Sequence, residues 1–504
     1  MLKIRRALIS VWDKQGVIDL VKKLLSFNIE IISTGKTASL LRKSGAKVKE
    51  VSKITSFPEI LSGRVKTLHP KIFGAILANK KHPLHLDEIK NLEIEPIDMV
   101  VVNFYPFDKM AKENIGFGQM LEYIDIGGPS LLRAGAKNFK NVACVSSPRQ
   151  YKKVIEEINK NKGCVSEEAL HELAGEVFRV TKEYDTAIYS YLKGGEVLTW
   201  NLEKTMGLRY GENPHQKGAL FKLIDRNPFA FKQLQGKKIS FNNLLDLDAA
   251  LSVVQDFSEP AAVVVKHASP CGVACDKNIS KAYVKAYRCD PLSSFGGVIG
   301  LNRKVDKKTA SEIIKSGFKE CVVAPAYSKE SIRQFQEKKN LRVIETSFVK
   351  RTDLKDIKRT AFGYLIQDHD SIDYDKTKLK VVTIKNPSPK EWKDLLFAWK
   401  IVKFVKSNAV VVVKNVSLLG TGGGQPSRVD AVKLALKKSA KSIHGAVVAS
   451  DAFFPKEDSI KLLHAKAVKA IIQPGGSIAD EKIIQLCNKY RIAMVFTGIR
   501  HFHH

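Results

Sequence analysis

The sequence predicts an α/β protein that opens on a doubly wound parallel sheet, with ligands held at the C-terminal ends of its strands. Three observations predict it. Short β-branched runs alternate with helical apolar stripes through the first 150 residues. The first of these strands open into polar loops rich in hydroxyls, amides or glycine. After residue 371 a Lys-rich stretch gives way to a second strand–loop–helix pattern.

Residues 7–12 read as the first strand. Asp13 is placed to cap a helix with the stripe Val17, Leu20, Val21, Leu24 and Leu25. Ile29–Ile32 is a second strand. Ser33-Thr-Gly-Lys-Thr37 turns from it into a helix over residues 38–42. That loop suits a phosphate at a helix N-terminus. A Walker A loop would need a glycine five residues before Gly35, where Glu30 stands, which leaves a monophosphate cradle or an ordinary capped turn. Arg64, Lys66 and Thr67 crowd donors into a polar stretch suited to an oxyanion. Met99–Asn103 and Val142–Val145 are later strands, the first delivering Asn103 and Tyr105. Asp125 precedes a Gly-Gly turn, and Lys137 stands beside Asn138. From Pro148 to Leu192 the chain reads helical, with Leu170, Leu173, Val177 and Phe178 on one stripe. Gly194-Gly195 then marks a hinge.

The second half opens with Arg209-Tyr-Gly-Glu-Asn-Pro-His-Gln216, which holds more functional groups than a turn needs. Val263-Val-Val265 reads as a buried strand that delivers Lys266 and His267 side by side before Pro270 and Gly272. The pair is either catalytic or a solvated lysine beside a satisfied histidine, and the dipeptide alone does not separate the two. Ser294-Phe-Gly-Gly297 would let a flat ligand approach the backbone. The strand-and-loop layout around Lys266-His267 resembles that around Ser407-Asn408, a weak sign of internal duplication.

Composition bounds the rest. A chain of 504 residues, 44% hydrophobic and 27% charged, is an ordinary globular composition. No apolar run approaches the roughly 18 residues of a membrane helix, and Asp13 cuts the first apolar run too early for a signal peptide. With seven scattered cysteines, the expectation is a reduced, cytoplasmic protein. A net charge of +31 fits nucleic acid, polyanionic small substrates or solvated lysine-rich faces. The absence of a long basic tail argues against nucleic acid. His267, Cys271 and Cys275 are spaced by four but lack a second ligand pair, so no metal is expected.

Taken in order, eight stretches resemble one family, the bifunctional enzymes that join AICAR transformylase to IMP cyclohydrolase. They are Arg-Val-Lys-Thr-Leu-His-Pro (64–70), Ile-Asp-Ile-Gly-Gly (124–128), Arg-Tyr-Gly-Glu-Asn-Pro-His-Gln (209–216), Asn-Asn-Leu-Leu-Asp-Leu-Asp-Ala-Ala (242–250), Lys-His-Ala-Ser-Pro-Cys-Gly (266–272), Ser-Phe-Gly-Gly (294–297), Gly-Gly-Gln-Pro-Ser-Arg (423–428) and the final Phe-His-His. The resemblance implies a methylglyoxal-synthase-like cyclohydrolase domain over 1–195. It implies a transformylase domain over 196–504, made of two cytidine-deaminase-like subdomains split near residue 370, and a homodimer. By resemblance, Ser10, Lys14, Ser33, Thr34, Arg64, Lys66 and Thr67 hold the nucleotide and its phosphate, with Lys66 also serving ring closure alongside Tyr105, Asp125 and Lys137. Lys266 and His267 would be the transformylase pair, placed with help from Asn408. Arg209, Tyr210, Phe295, Gly296, Arg428, Arg500 and His504 would line the AICAR and folate sites. The implied ligands are AICAR, formyl-AICAR, IMP and 10-formyltetrahydrofolate as co-substrate. No catalytic metal is implied, and there is room for a structural monovalent cation. Trp12, Lys36, Phe73 and Phe139 depart from the family's usual small, glycine or histidine residues.

Overall fold

A computed structural model describes residues 1–113, 115–194, 197–224, 231–348, 355–371, 374–375, 377–439 and 443–504. The chain divides into two compact units, Met1–Thr199 and Trp200–His504. Gly195, half of the expected hinge, lies outside the described residues.

The first unit is built on five parallel strands in the order Val48–Glu50, Glu30–Ser33, Arg6–Val11, Met99–Asn103, Ala143–Val145. Successive side chains of a strand point to opposite faces, so Ile9 packs with Leu20, Leu24, Val154 and Ile158 while Leu8 packs with Ile72, Ile76, Leu131 and Leu132. Both faces are therefore covered by helices, which is why these strands read as continuous apolar runs. The order reverses at Arg6–Val11, whose C-terminal end lies between those of Glu30–Ser33 and Met99–Asn103. A ligand crevice belongs at that point.

Three local expectations are corrected. The first helix is Val17–Leu25 with Gly16 at its N-cap; Asp13 accepts the Gln15 amide at 2.9 Å and caps nothing. The loop helix begins earlier than expected, at Gly35, and runs to Lys43. The stretch from Pro148 to Leu192 breaks at Gly163, whose φ of +84° turns the chain between the helices Tyr151–Lys160 and Glu167–Lys193. In the second of these, Leu170, Leu173 and Val177 are buried, but Phe178 is 45% exposed and stacks under Arg133.

The second unit is a twelve-stranded sheet made of two copies of one pattern. Outward from the centre, the first copy runs Ser269–Cys275, Ala261–Lys266, Val298–Leu301, Cys321–Ala324, Arg342–Thr346, Phe231–Gln235. The second runs Ser417–Gly422, Val410–Lys414, Val447–Ser450, Ala470–Gln473, Ala493–Phe496, Lys380–Val381. Each copy has a central hairpin whose register shifts at the same place, Val264/Val265 and Val412/Val413. Each hairpin closes on two left-handed residues, His267 and Ala268 (φ 53° and 54°) or Asn415 and Val416 (54° and 49°). The duplication therefore exists in a different register from the expected one: Lys266-His267 corresponds to Lys414-Asn415, and Asn408 lies at the base of the second hairpin. Two-residue hairpins need positive φ at both turn residues, and four non-glycine residues supply it here. The second copy's helix Pro389–Val402 buries Leu395, Trp399 and Val402 within the stretch that read as Lys-rich and uninformative.

Candidate active sites

The first unit gathers its polar residues where the strand order reverses. Thr34 is the N-cap of helix Gly35–Lys43, with extended backbone and a side chain that makes no capping bond, so that helix N-terminus is open to an anion. Gly35 has φ +54°, and a Cβ there would come within 3.7 Å of Lys66 Nζ. Lys66 is thereby set beside the cradle. Its loop is bent by three consecutive left-handed residues, Leu61, Ser62 and Gly63, between Ile60 and Val65, which pair as an isolated bridge. Lys66 also meets Glu59 at 3.0 Å. Lys14 donates to Val11 O and, at 2.9 Å, to Thr37 Oγ1. Burial and the neighbouring Lys36 hold its ammonium below the ordinary lysine range, opposed by Asp13. Ser10 is the penultimate residue of the central strand, paired with Val102. Ser33 is fully buried, and its hydroxyl donates to Ile9 O at 2.6 Å, tying two strands together.

A second helix N-terminus faces the same crevice. Asp125 Oδ1 accepts the Gly128 amide at 2.8 Å ahead of helix Gly127–Lys137. Its backbone N–H donates to Tyr184 Oη at 2.7 Å, and Tyr184 in turn donates to Tyr123 O at 2.7 Å. Burial pushes the Asp125 carboxyl above the usual aspartate range, against the Gly128 and Gly127 amides and the charge of Lys66. Thr67 is buried, its hydroxyl close to Gly127. Tyr105 stands in an aromatic wall, 6.2 Å from Trp12 and 5.8 Å from Tyr123 between ring centroids. Asn103 fixes the backbone under Trp12: its Oδ1 accepts the Trp12 and Asp13 amides at 2.7 and 2.8 Å. Arg64 is exposed and paired with Glu122. Lys137 is the last residue of the eleven-residue helix that Gly127 begins, about 15 Å from it along the axis.

A carboxyl held above its unfolded value is one the native state ionises reluctantly. Its unfavourable contribution is absent below the unfolded aspartate pKa of about 3.9 and develops as pH rises through it. Asp125→Asn, whose amide oxygen can still accept the Gly128 N–H, should therefore raise the melting temperature at pH 7, with the gain disappearing below about pH 4. Calorimetry across that range checks this.

In the second unit, Lys266 Nζ donates to Phe295 O at 2.5 Å. Gly296, at φ +66°, keeps the loop close: a Cβ there would lie 3.3 Å from Lys266 Nζ. The loop is held by Asp290, which accepts Ser293 N at 2.9 Å and Lys438 Nζ at 2.9 Å. It presents Phe295 62% exposed, 5.7 Å from Phe318. His267 is exposed at the hairpin tip. Arg209 lies over the Tyr210 ring, 5.4 Å from its centroid, in a turn that Asn242 reaches through Glu212 O at 3.1 Å.

The two central hairpins pair antiparallel, Ala274 opposite Ser417. Continued along the strands, that register carries Ser269, beside the Lys266-His267 tip, toward Gly422 at the base of the second hairpin. Gly422 pairs with Val410, two residues after Asn408. Asn408 is locked: Nδ2 donates to Gln425 O at 2.8 Å, and Oδ1 accepts from Arg428 at 2.7 Å. Arg428 is buried, and its Nη1 donates to Ala409 O and pairs with Asp451. It therefore orders Asn408. Asp451, which sequence reasoning gave no role, also receives Ser407 Oγ and the Ala409 amide. The last residues lie against this base: Ser407 N donates to His503 O at 2.9 Å, and Arg500 covers the Phe502 ring at 4.3 Å. His504 receives Lys358 through its carbonyl oxygen. Among the described residues no three His, Cys, Asp or Glu side chains converge as a metal site would require.

The first unit sets an open helix end, a lysine and a reluctant carboxylate at the switch point of an α/β sheet, and the MGS-like domain model matches residues 16–130. A second model, the AICARFT/IMPCHase bienzyme, matches residues 135–438. Two proteins called bifunctional purine biosynthesis protein PurH, from Bacillus cereus (strain B4264) and Bacillus thuringiensis subsp. konkukian (strain 97-27), are each 46% identical over 515 residues, covering 99% of this chain and 100% of the relative. A solved structure, that of ForH, is 30% identical over 38% of this chain and all of its own, with a TM-score of 0.36. The chain belongs to the AICARFT/IMPCHase bienzyme family, whose two activities are the last two steps of purine biosynthesis.

Proposed function

We propose that the two units divide the reaction. The second transfers the formyl group of 10-formyltetrahydrofolate to the 5-amino group of AICAR, and the first closes formyl-AICAR to IMP. The observation that carries this division is that each unit has its own cluster of a lysine with acid–base groups. Lys66 stands with Asp125 beside an open helix end in the first unit, and Lys266 with His267 beside an exposed aromatic loop in the second.

In formyl transfer the amine nitrogen attacks the formyl carbon. His267 takes the proton the amine sheds, and Lys266 stabilises the oxyanion. As the C–N10 bond breaks, N10 takes a proton and tetrahydrofolate leaves. A positioned base contributes roughly 10²- to 10⁴-fold, and the 5-amino group needs it because its lone pair is delocalised. Phe295 offers a face to a flat ring, and Asn408, held by Arg428, meets the same edge of the sheet. In ring closure the carboxamide nitrogen attacks the formyl carbon and water is lost. That step is intramolecular, so holding one rotamer supplies much of the acceleration. Lys66 polarises the formyl oxygen, and Asp125 and Tyr105 move protons. The helix end at Thr34–Gly35, with Lys14 close by, takes the phosphate common to both substrates.

We place the protein in the cytoplasm as a homodimer whose second unit comprises two cytidine-deaminase-like subdomains. The duplicated sheet supports the last part. Purified protein given AICAR and 10-formyltetrahydrofolate should release tetrahydrofolate and IMP in equal amounts. Release of neither would refute the reading.

A further inference from the structure

The duplicated sheet supplies an internal comparison for the hairpin that carries His267. Each copy has one aspartate at the same place on its first helix, Asp246 on Phe241–Gln255 and Asp394 on Pro389–Val402, each the sixth residue. Each aspartate reaches its own hairpin turn. Asp394 is buried and uses both oxygens there: Oδ2 accepts the Asn415 amide at 2.9 Å and Oδ1 the Val416 amide at 2.7 Å. It is a structural latch over two left-handed residues, a conformation that L residues adopt at a cost. Asp246 holds the equivalent turn differently. Oδ1 accepts the Ala268 amide at 2.6 Å. The carboxylate stands in the field of His267 and Lys266 on the hairpin and of Glu320 ahead of the next strand. Where the second copy has Asn415, the first has a titratable imidazole, and only in the first copy does the latching aspartate keep an oxygen free of the turn amides among the described residues.

We propose that Asp246 is a positioning residue of the transformylase, holding the left-handed His267–Ala268 turn while setting a carboxylate beside the imidazole that takes the amine proton. The imidazolium that forms in that step is then born next to a negative charge, a stabilisation present in the transition state and weaker before it. Burial holds the Asp246 carboxyl above the usual aspartate range, opposed by the Ala268 amide and the two positive neighbours. That cost to the fold is what a carboxylate retained for chemistry carries. The inference rests on His267 being the base.

The experiment compares Asp246→Asn, Asp394→Asn and His267→Ala in the full-length protein. Asparagine can still accept the Ala268 amide, so Asp246→Asn keeps the turn and loses only the charge. Its kcat for formyl transfer should fall about 10- to 100-fold, with KM for AICAR close to that of the parent and a melting temperature at pH 7 no lower than the parent's. A loss confined to transition-state interaction takes this form. Asp394→Asn must turn an amide NH₂ toward one of two turn amides; its melting temperature should fall while kcat holds. The inference is overturned if Asp246→Asn keeps kcat within about threefold, if its loss appears in KM, or if Asp394→Asn loses kcat equally. If His267→Ala itself retains formyl transfer, the assignment of the base fails, and this inference with it.

Discussion

His267→Ala should lower formyl transfer by about 10²- to 10⁴-fold, the range of a positioned general base, and leave cyclisation of supplied formyl-AICAR at the parent rate. The side chain is exposed at a hairpin tip, so truncation opens no cavity, and alanine is already tolerated at the neighbouring left-handed position, Ala268. A fall in melting temperature comparable with a core substitution is therefore not expected. The loss should appear in kcat more than in KM, because nothing in the ground state requires a base. Steady-state assays of tetrahydrofolate release and, separately, of IMP formation from formyl-AICAR measure the two arms. Loss of both activities would mean that the division between the units is wrong.

Lys66→Ala should give the opposite pattern. Its ammonium stands beside Gly35 at the open helix end, within the field of Asp125, and pairs with Glu59. Removing a preorganised donor from a developing oxyanion costs about 10²- to 10³-fold, and this one sits where phosphate and carbonyl both need a cation. Cyclisation should fall by that factor while formyl transfer continues and formyl-AICAR accumulates. Stability should change little, since a half-exposed lysine–glutamate pair contributes about 0–1 kcal/mol. Lys66→Arg should recover only part of the rate, because a planar guanidinium does not fill the place of a compact ammonium.

Much of this was legible in the chain. The parallel sheet of the first unit follows from apolar runs buried on both faces, and four of its five strands are legible within a residue; the short Val48–Glu50 has no apolar run to mark it. Lys266-His267 at a strand end was legible for a like reason: three valines fix the strand, and Pro270 and Gly272 follow it. What was missed depends on pairing across distance. The duplication was seen but set in the wrong register, because Lys414-Asn415-Val416 carries no histidine to mark it. Helix Pro389–Val402 was passed over among lysines, although Ser388 and Glu391 form a capping box that announces its start. Asp246 and Asp451 gained no role, since an aspartate that latches a turn or clamps an arginine looks in sequence like any surface carboxylate. Arg428, expected to line a ligand site, also works within the fold, holding Asn408 and pairing with Asp451. Lys137 follows Asp125 by twelve residues, at the far end of the helix that opens at Gly127.

The central claim is that one chain runs two reactions at two separate clusters, and mixing the two variants tests it most directly. With AICAR and 10-formyltetrahydrofolate, the His267→Ala protein should form neither formyl-AICAR nor IMP, and the Lys66→Ala protein should form formyl-AICAR with little IMP. The mixture should form IMP at a rate approaching that of the parent. A mixture that forms no more IMP than the Lys66→Ala protein alone would contradict the account.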